Sequence, residues 1–283
     1  MLLFKEVEKL QTYLEKKRAK GLTIGYTPTM GALHQGHASL IKKAKAENDI
    51  SVCSIFVNPT QFNDPKDLEK YPRTEGRDIE MLASLNNDIV FYPTVEAIYP
   101  KGINIPTFDF GVVDKVMEGK FRPGHFDGVV EVVHRLLDIV QPEGLYMGQK
   151  DFQQFTLIQH MLNQMGSKTQ LVVCPIIREK DGLALSSRNV RLTAKNRQNA
   201  PIISKILHQL NDWMAGGLSV KEAEKKAIAQ LSKVPDFKPE YFEIVDGHTL
   251  QPIEKMSDTD YVVVCAAVWT GAIRLIDNVI LKK

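Results

Sequence analysis

No apolar run in this 283-residue chain approaches the roughly 20 residues needed to cross a membrane. The N-terminal stretch "MLLFKEVEKLQTYLEKK" lacks the apolar core of a secretory signal and reads as an amphipathic first helix, so a cytoplasmic location is expected. Charge of either sign is not in excess: 36 Lys and Arg against 34 Asp and Glu give a net +2. That balance provides no basis for a nucleic-acid or membrane surface. Cysteine is scarce. Cys53, Cys174 and Cys265 stand alone in "SVCSIF", "LVVCPII" and "VVVCAAV", which reads as buried free thiols on strands in a reducing compartment. Internal repeats and low-complexity segments are missing. So are G-x-G-x-x-G and G-x-x-x-x-G-K-[ST], which excludes the usual dinucleotide fingerprint and the P-loop.

What is present is an alternation. "LTIGYTPT" (22–29) and "DISVCSIFVN" (49–58) are β-rich, and "GHASLIKKAKAEN" (36–48) between them has helical spacing of Ala38, Leu40, Ile41 and Ala44. Helix then strand recurs at 77–85 and 88–93, at 128–140 and 144–148, and at 151–166 and 170–177. Strands apolar at nearly every residue suit a parallel sheet covered on both faces. The fold class expected is α/β, a doubly wound, Rossmann-like parallel sheet, with ligands beyond the C-terminal strand ends. From about Thr193 the pattern changes to helices, then to strands at 240–246 and 260–281, the latter pair joined through Thr270 and Gly271. This predicts an N-terminal nucleotide- and substrate-binding domain over 1–176. A smaller α+β domain over 177–283 is expected to close over it. The irregular stretch 99–125 is either a wall over the site or a long surface loop.

Residues 28–37, "PTMGALHQGH", fall between the first parallel strand and its helix. Glycines there allow close approach, and the amides and dipole of a helix start attract phosphate. Imidazoles at such a turn can donate to phosphate oxygens or protonate a leaving oxygen. A zinc site needs further convergent ligands, and the usual spacings are absent. Spacing alone leaves phosphate binding, a helix cap and a surface role all open.

H-x-G-H after the first strand of such a sheet resembles the nucleotidyltransferase superfamily. The longer set is narrower: "PTMGALHQGH", "FVNPTQF" (56–62), "YPRT" (71–74), "RPGHFDGV" (122–129), "GQKDFQQ" (148–154), "DGLALSSRN" (181–189) and "RLIDN" (274–278). In this order, over almost the whole chain, these blocks resemble the pantoate–β-alanine ligase (pantothenate synthetase) family. The resemblance implies an AMP-forming carbon–nitrogen ligase in coenzyme A precursor biosynthesis, acting as a homodimer. Its substrates would be pantoate, β-alanine and ATP, the last as its Mg²⁺ complex. Pantoate's carboxylate would attack the α-phosphate of ATP, releasing pyrophosphate. β-Alanine's amine would then attack the pantoyl adenylate. The alternative is a nucleotidyltransferase of the same superfamily acting on another small acid or phosphate.

By the same resemblance, Met30, Gly31, Ala32, Leu33, His34, Gln35, Gly36 and His37 form a first ATP loop. His37, His34 and Lys150 are the catalytic candidates. Gly148, Gln149, Lys150 and Asp151 form a second ATP segment. Leu185, Ser186, Ser187 and Arg188 stand where the superfamily often carries a lysine-containing phosphate loop, and Ile177 would offer backbone groups to adenine. Gln61 and Gln154 resemble pantoate-binding glutamines, Gln61 also being implied for β-alanine. Gln35 and Gln149 occupy positions where acidic residues are also common. Arg122 is left between anion contact and surface. No protein metal ligand is assigned, although Asp64, Asp67 and Asp78 lie in the right region.

Overall fold

A computed structural model describes all 283 residues. The chain divides into two compact units. The first is Met1–Phe110, Phe121–Gly148 and Gln154–Pro175. The second is Gly111–Lys120, Gln149–Gln153 and Ile176–Lys283. The stretches 111–120 and 149–153, which pattern alone leaves with the N-terminal residues, thus group with the C-terminal ones.

The first unit is built on six strands: β1 (Leu2–Phe4), β2 (Ile24–Thr29), β3 (Ile50–Ile55), β4 (Ile89–Phe91), β5 (Gly144–Gly148) and β6 (Gln170–Cys174). All neighbours are parallel, in the order β1-β4-β3-β2-β5-β6. This is the expected doubly wound sheet. The winding reverses at β2, which pairs with β3 on one side and β5 on the other, and the ligand crevice of such sheets opens there. The helices up to residue 164, in chain order, are α1 (Val7–Arg18), α2 (Gln35–Glu47), α3 (Pro65–Glu69), α4 (Glu75–Ser84), α5 (Val95–Ile98), α6 (Met117–Phe121), α7 (His125–Val140) and α8 (Phe152–Gln164), of which α6 up to Lys120 and the start of α8 fall in the second unit. Every residue of β3 is buried, Ser51 and Ser54 included, as a parallel strand covered on both faces requires. Helix α7 buries an apolar face including Val129, Val133, Leu136, Leu137 and Val140.

Two local expectations are corrected. The N-terminus does not begin as helix: Leu2–Phe4 pairs with Ile89–Phe91 at the sheet edge, and α1 starts at Val7. Three residues are too few to reveal a strand period. Burial on both faces also fails at β6, an edge strand with Gln170 and Val173 exposed.

The second unit contains α9 (Ala194–Asn199), α10 (Ile202–Ala215) and α11 (Val220–Leu231), then the antiparallel sheet β7 (Phe237–Asp246), β8 (Val262–Thr270) and β9 (Ile273–Lys282). Ser219 and Glu222 close a reciprocal cap at the start of α11. The core joins Ile203, Ile206, Leu207 and Leu210 of α10 and Ala223, Ala227 and Leu231 of α11 to Ile244, Val264 and Val268. Each large aliphatic side chain so buried contributes about 1.5–3 kcal/mol relative to exposure.

A buried charge network closes the same unit. Arg274 of β9 makes two bonds to Glu118, at 2.8 and 2.6 Å, and two to Glu240, at 2.8 and 2.6 Å. Tyr241 donates to Glu118 at 2.7 Å. Burial opposes the charge on Arg274, but the two carboxylates hold its pKa above the ordinary value. Gln153 completes the attachment of 111–120: its oxygen accepts the Glu118 amide at 3.0 Å, and its nitrogen donates to the carbonyls of Val113 and Val116.

Candidate active site

The turn after β2 is held from below. Gly31 (φ 77°) and Ala32 (φ 49°) are consecutive left-handed residues. A Cβ on Gly31 would lie 3.0 Å from Asp78 Oδ2 and 3.1 Å from Ile55 Cγ2, so this position requires glycine on two counts. The Asp78 carboxylate, 2% exposed, accepts the amides of Ala32 at 2.9 Å and Leu33 at 2.8 Å. Thr74 braces it at 3.0 Å from the cap of α4. Gly31 N donates to Thr29 Oγ1 at 3.2 Å.

The two histidines cap α2 together. His34 is the N-cap residue, and its Nδ1 accepts from Gly36 N at 3.1 Å. His37 Nδ1 accepts from His34 N at 3.3 Å, and the rings lie 4.1 Å apart between centroids. A backbone amide only donates, so each Nδ1 must present a lone pair. The neutral rings therefore carry their hydrogen on Nε2. Most amides of the turn that precedes α2 are already engaged within the chain. The amides of Gly31, Ala32, Leu33, His34 and Gly36 all have side-chain acceptors.

The turn also meets the 58–61 segment: Gln61 Nε2 lies 3.3 Å from Met30 Sδ. Asn58, 1% exposed, uses its whole amide. Its oxygen accepts from Tyr99 at 2.9 Å and Thr60 at 3.2 Å; its nitrogen donates to Gly128 O at 2.9 Å and Gln61 Oε1 at 3.3 Å. Arg122 is no loose surface group. It lies 2.9 Å from His125 Nε2, while His125 Nδ1 lies 2.8 Å from the Gln61 carbonyl. That carbonyl can only accept, so the His125 hydrogen sits on Nδ1 and Nε2 accepts from the guanidinium. Gln154 is half-buried in the first turn of α8.

In the second unit Lys150 is mostly buried and pairs with Asp151 at 3.6 Å. Asn278 fixes its backbone, donating to the carbonyls of Gln149 at 3.0 Å and Lys150 at 2.9 Å while accepting from Gln149 Nε2 at 3.1 Å. Asp277 forms a two-pronged pair with Arg178 at 2.7 and 2.9 Å, and Arg178 also donates to Gly182 O. Leu185 N donates to the Ile177 carbonyl at 3.0 Å, which closes a narrow loop. Just after it Ser186 Oγ accepts from Arg188 N at 3.3 Å. A Cβ at Gly148 would meet nothing within 4 Å, so the space beside that residue is open.

Sequence reasoning missed Asn58, Tyr99, His125, Gln153, Asp277 and Asn278, although most of them lie inside the quoted blocks. The only available signal was a polar residue flanked by apolar ones, as in "RLIDN", which does not name its partner. The acidic candidates for metal also change meaning. Asp78 holds the turn, and Asp64 caps α3 by accepting from Lys66 N. No group of three or more His, Cys, Asp or Glu is arranged to hold a metal ion.

A doubly wound sheet carrying an H-x-G-H turn at its reversal point fits the nucleotidyltransferase superfamily that the sequence resembles, a class of nucleotide-dependent transferases and ligases. Residues 2–280 match the family model described as pantoate-beta-alanine ligase, and the chain belongs to that family. It is 50% identical over 280 residues to a pantothenate synthetase of Porphyromonas gingivalis, covering 99% of both chains. It is 47% identical to that of Bacteroides thetaiotaomicron over 100% of both. The pantothenate synthetase structure from Thermus thermophilus superposes with a TM-score of 0.93, at 37% identity and full coverage of both chains. The Francisella tularensis pantoate-beta-alanine ligase, complexed with beta-gamma ATP and beta-alanine, gives 0.82 at 38% identity, over 99% of this chain and 97% of that one. The chain is thus an ATP-dependent ligase joining pantoate to β-alanine.

Proposed function

We propose that the reaction proceeds through pantoyl adenylate, and that the turn after β2 handles the phosphates. The observation that carries this reading is the reciprocal cap of His34 and His37. It fixes both imidazoles as Nε2–H donors at the reversal point of the sheet. A pantoate carboxylate oxygen attacks the α-phosphorus and the bond to pyrophosphate breaks. A fixed donor that stabilises charge developing on phosphate oxygens needs no reorganisation during this step. β-Alanine's amine then attacks the acyl carbon, and AMP departs with the bonding electrons of the acyl–oxygen bond.

The assignments follow. His37, His34 and Lys150 are the catalytic groups, Lys150 neutralising phosphate charge. Met30 to His37, Gly148 to Asp151, Ile177 and Leu185 to Arg188 bind ATP. Gln61 and Gln154 bind pantoate. Mg²⁺ enters with ATP. Since the chain presents no ready-made ligand cluster, the ion is held chiefly by phosphate oxygens and water. A homodimer is proposed, supported by the exposed edge strand β6. A cytoplasmic location accords with three free, buried cysteines; no helix is long and apolar enough to cross a membrane.

The test is product analysis with ATP, pantoate and β-alanine. AMP, pyrophosphate and pantothenate in equal amounts are expected; ADP, or pyrophosphate release independent of pantoate, would overturn the adenylate route. Gln154→Ala is expected to raise the KM for pantoate selectively, and a selective ATP defect would remove it from the pantoate site.

A further inference from the structure

We propose that Tyr99 is a positioning residue for the ligase reaction, acting through Asn58 to fix which end of the Gln61 amide faces substrate. This rests on the reading of Gln61 as a pantoate residue. An amide side chain has two nearly isosteric orientations, one offering hydrogens and the other a lone pair. Which one a substrate meets decides what that residue recognises.

Here the choice is made at Asn58, three residues before Gln61. Gly128 O and the Asn58 oxygen are both pure acceptors, so Asn58 must direct its nitrogen to Gly128. Its oxygen then faces Tyr99 and Thr60. Tyr99 remains a donor across the working range, because burial pushes its phenol up to about 12. Asn58 presents its second hydrogen to Gln61 Oε1, which turns Gln61 Nε2 toward Met30. A thioether sulfur is a weak acceptor, so this contact yields readily to a carboxylate or hydroxyl oxygen. The His125 contact to the Gln61 carbonyl holds the backbone of the same residue, leaving the amide flip as the main freedom, which Tyr99 and Gly128 O restrain together through Asn58.

The consequence is chemical. Held this way, Gln61 offers N–H groups and serves oxygen acceptors such as pantoate's carboxylate and hydroxyls. Its own oxygen is engaged by Asn58 and is not what meets an amine. That narrows the double role which resemblance implies for Gln61: the amine of β-alanine finds its acceptor elsewhere.

Steady-state kinetics on Tyr99→Phe, Gln61→Ala and the double variant test this. Losing one neutral hydrogen bond should raise the pantoate KM about 3- to 10-fold, with the ATP KM within about twofold of wild type. In the Gln61→Ala background, Tyr99→Phe should add almost nothing, a silence that a merely structural role would not produce. Equal effects of Tyr99→Phe in both backgrounds, or a parallel rise in both KM values, would overturn the proposal while leaving Gln61 as a pantoate residue. A Gln61→Ala enzyme with unchanged pantoate KM would overturn that reading, and the proposal with it. Should Tyr99→Phe fold poorly, Thr60→Val removes the other donor to Asn58 at a solvent-exposed residue and is held to the same criteria.

Discussion

Asp78 Oδ2 accepts the amide of Ala32 at 2.9 Å, and Ala32 is a non-glycine residue at φ 49°. A left-handed alanine costs about 1–2 kcal/mol. A buried carboxylate bonding two consecutive amides offsets that cost, each such charged hydrogen bond being worth about 1.5–3 kcal/mol. Asp78→Ala should therefore lower the unfolding free energy by roughly 2–4 kcal/mol and raise the KM for ATP. Denaturant titration and initial rates read the two effects. A variant with wild-type ATP kinetics would separate the turn's conformation from nucleotide binding.

His37→Ala removes both a cap and a donor. Loss of a positioned donor should slow adenylate formation by about 10²-fold or more, and loss of the cap should cost about 1 kcal/mol of stability. Pantoate-dependent pyrophosphate release measures the first and thermal melting the second. A normal release rate in a destabilised protein would leave His37 as a cap only.

Gly128 sets helix propensity against sterics. Replacing a helical glycine with alanine ordinarily stabilises by up to about 1 kcal/mol. In α7, however, the new Cβ would lie 2.6 Å from Thr60 C and O and 2.7 Å from Gln61 N. These are backbone atoms that cannot rotate away. Gly128→Ala should destabilise by about 1–3 kcal/mol and raise the pantoate KM, because the displaced segment carries Gln61. A more stable variant with unchanged pantoate KM would show that the 59–61 turn moves without consequence.

Asp88 gives the sign of one pH effect. Burial raises its pKa, but bonds from Ser51 N, Ser51 Oγ and Lys45 outweigh this and hold it below the ordinary carboxylate value. A folded value below the unfolded one stabilises the protein above the unfolded pKa, near 3.9. That contribution is lost as pH falls through the folded value. Asp88→Asn should thus lower stability at pH 7 and approach wild type at about pH 3. Urea midpoints at the two pH values decide it; an equal gap at both would assign the loss to shape rather than charge.

The alternation of strands and helices was legible because buried parallel strands and amphipathic helices leave long periodic traces. The short β1 left none. The grouping of Gly111–Lys120 with the C-terminal unit was equally silent in the sequence, since it depends on Glu118 meeting Arg274 far along the chain. At the turn, glycine and histidine indicated phosphate chemistry. The cap formed by those histidines and the clamp formed by Asp78 were not visible. A hydrogen bond's partner is a property of the folded chain, whereas residue type alone names only a capacity to bond.

The Glu118–Arg274 pair also orders events during synthesis. Its partners are 156 positions apart, and Arg274 lies on the last strand. A ribosome extending the chain exposes Glu118 long before its guanidinium exists. Until β9 emerges, the 111–120 excursion has no counter-ion from that strand, and Asn278 has not yet arrived to hold Gln149 and Lys150. Assembly of the second unit therefore waits on β9. A ribosome stalled shortly before Arg274 would display a folded parallel sheet with the 111–120 and 149–153 stretches still protease-sensitive.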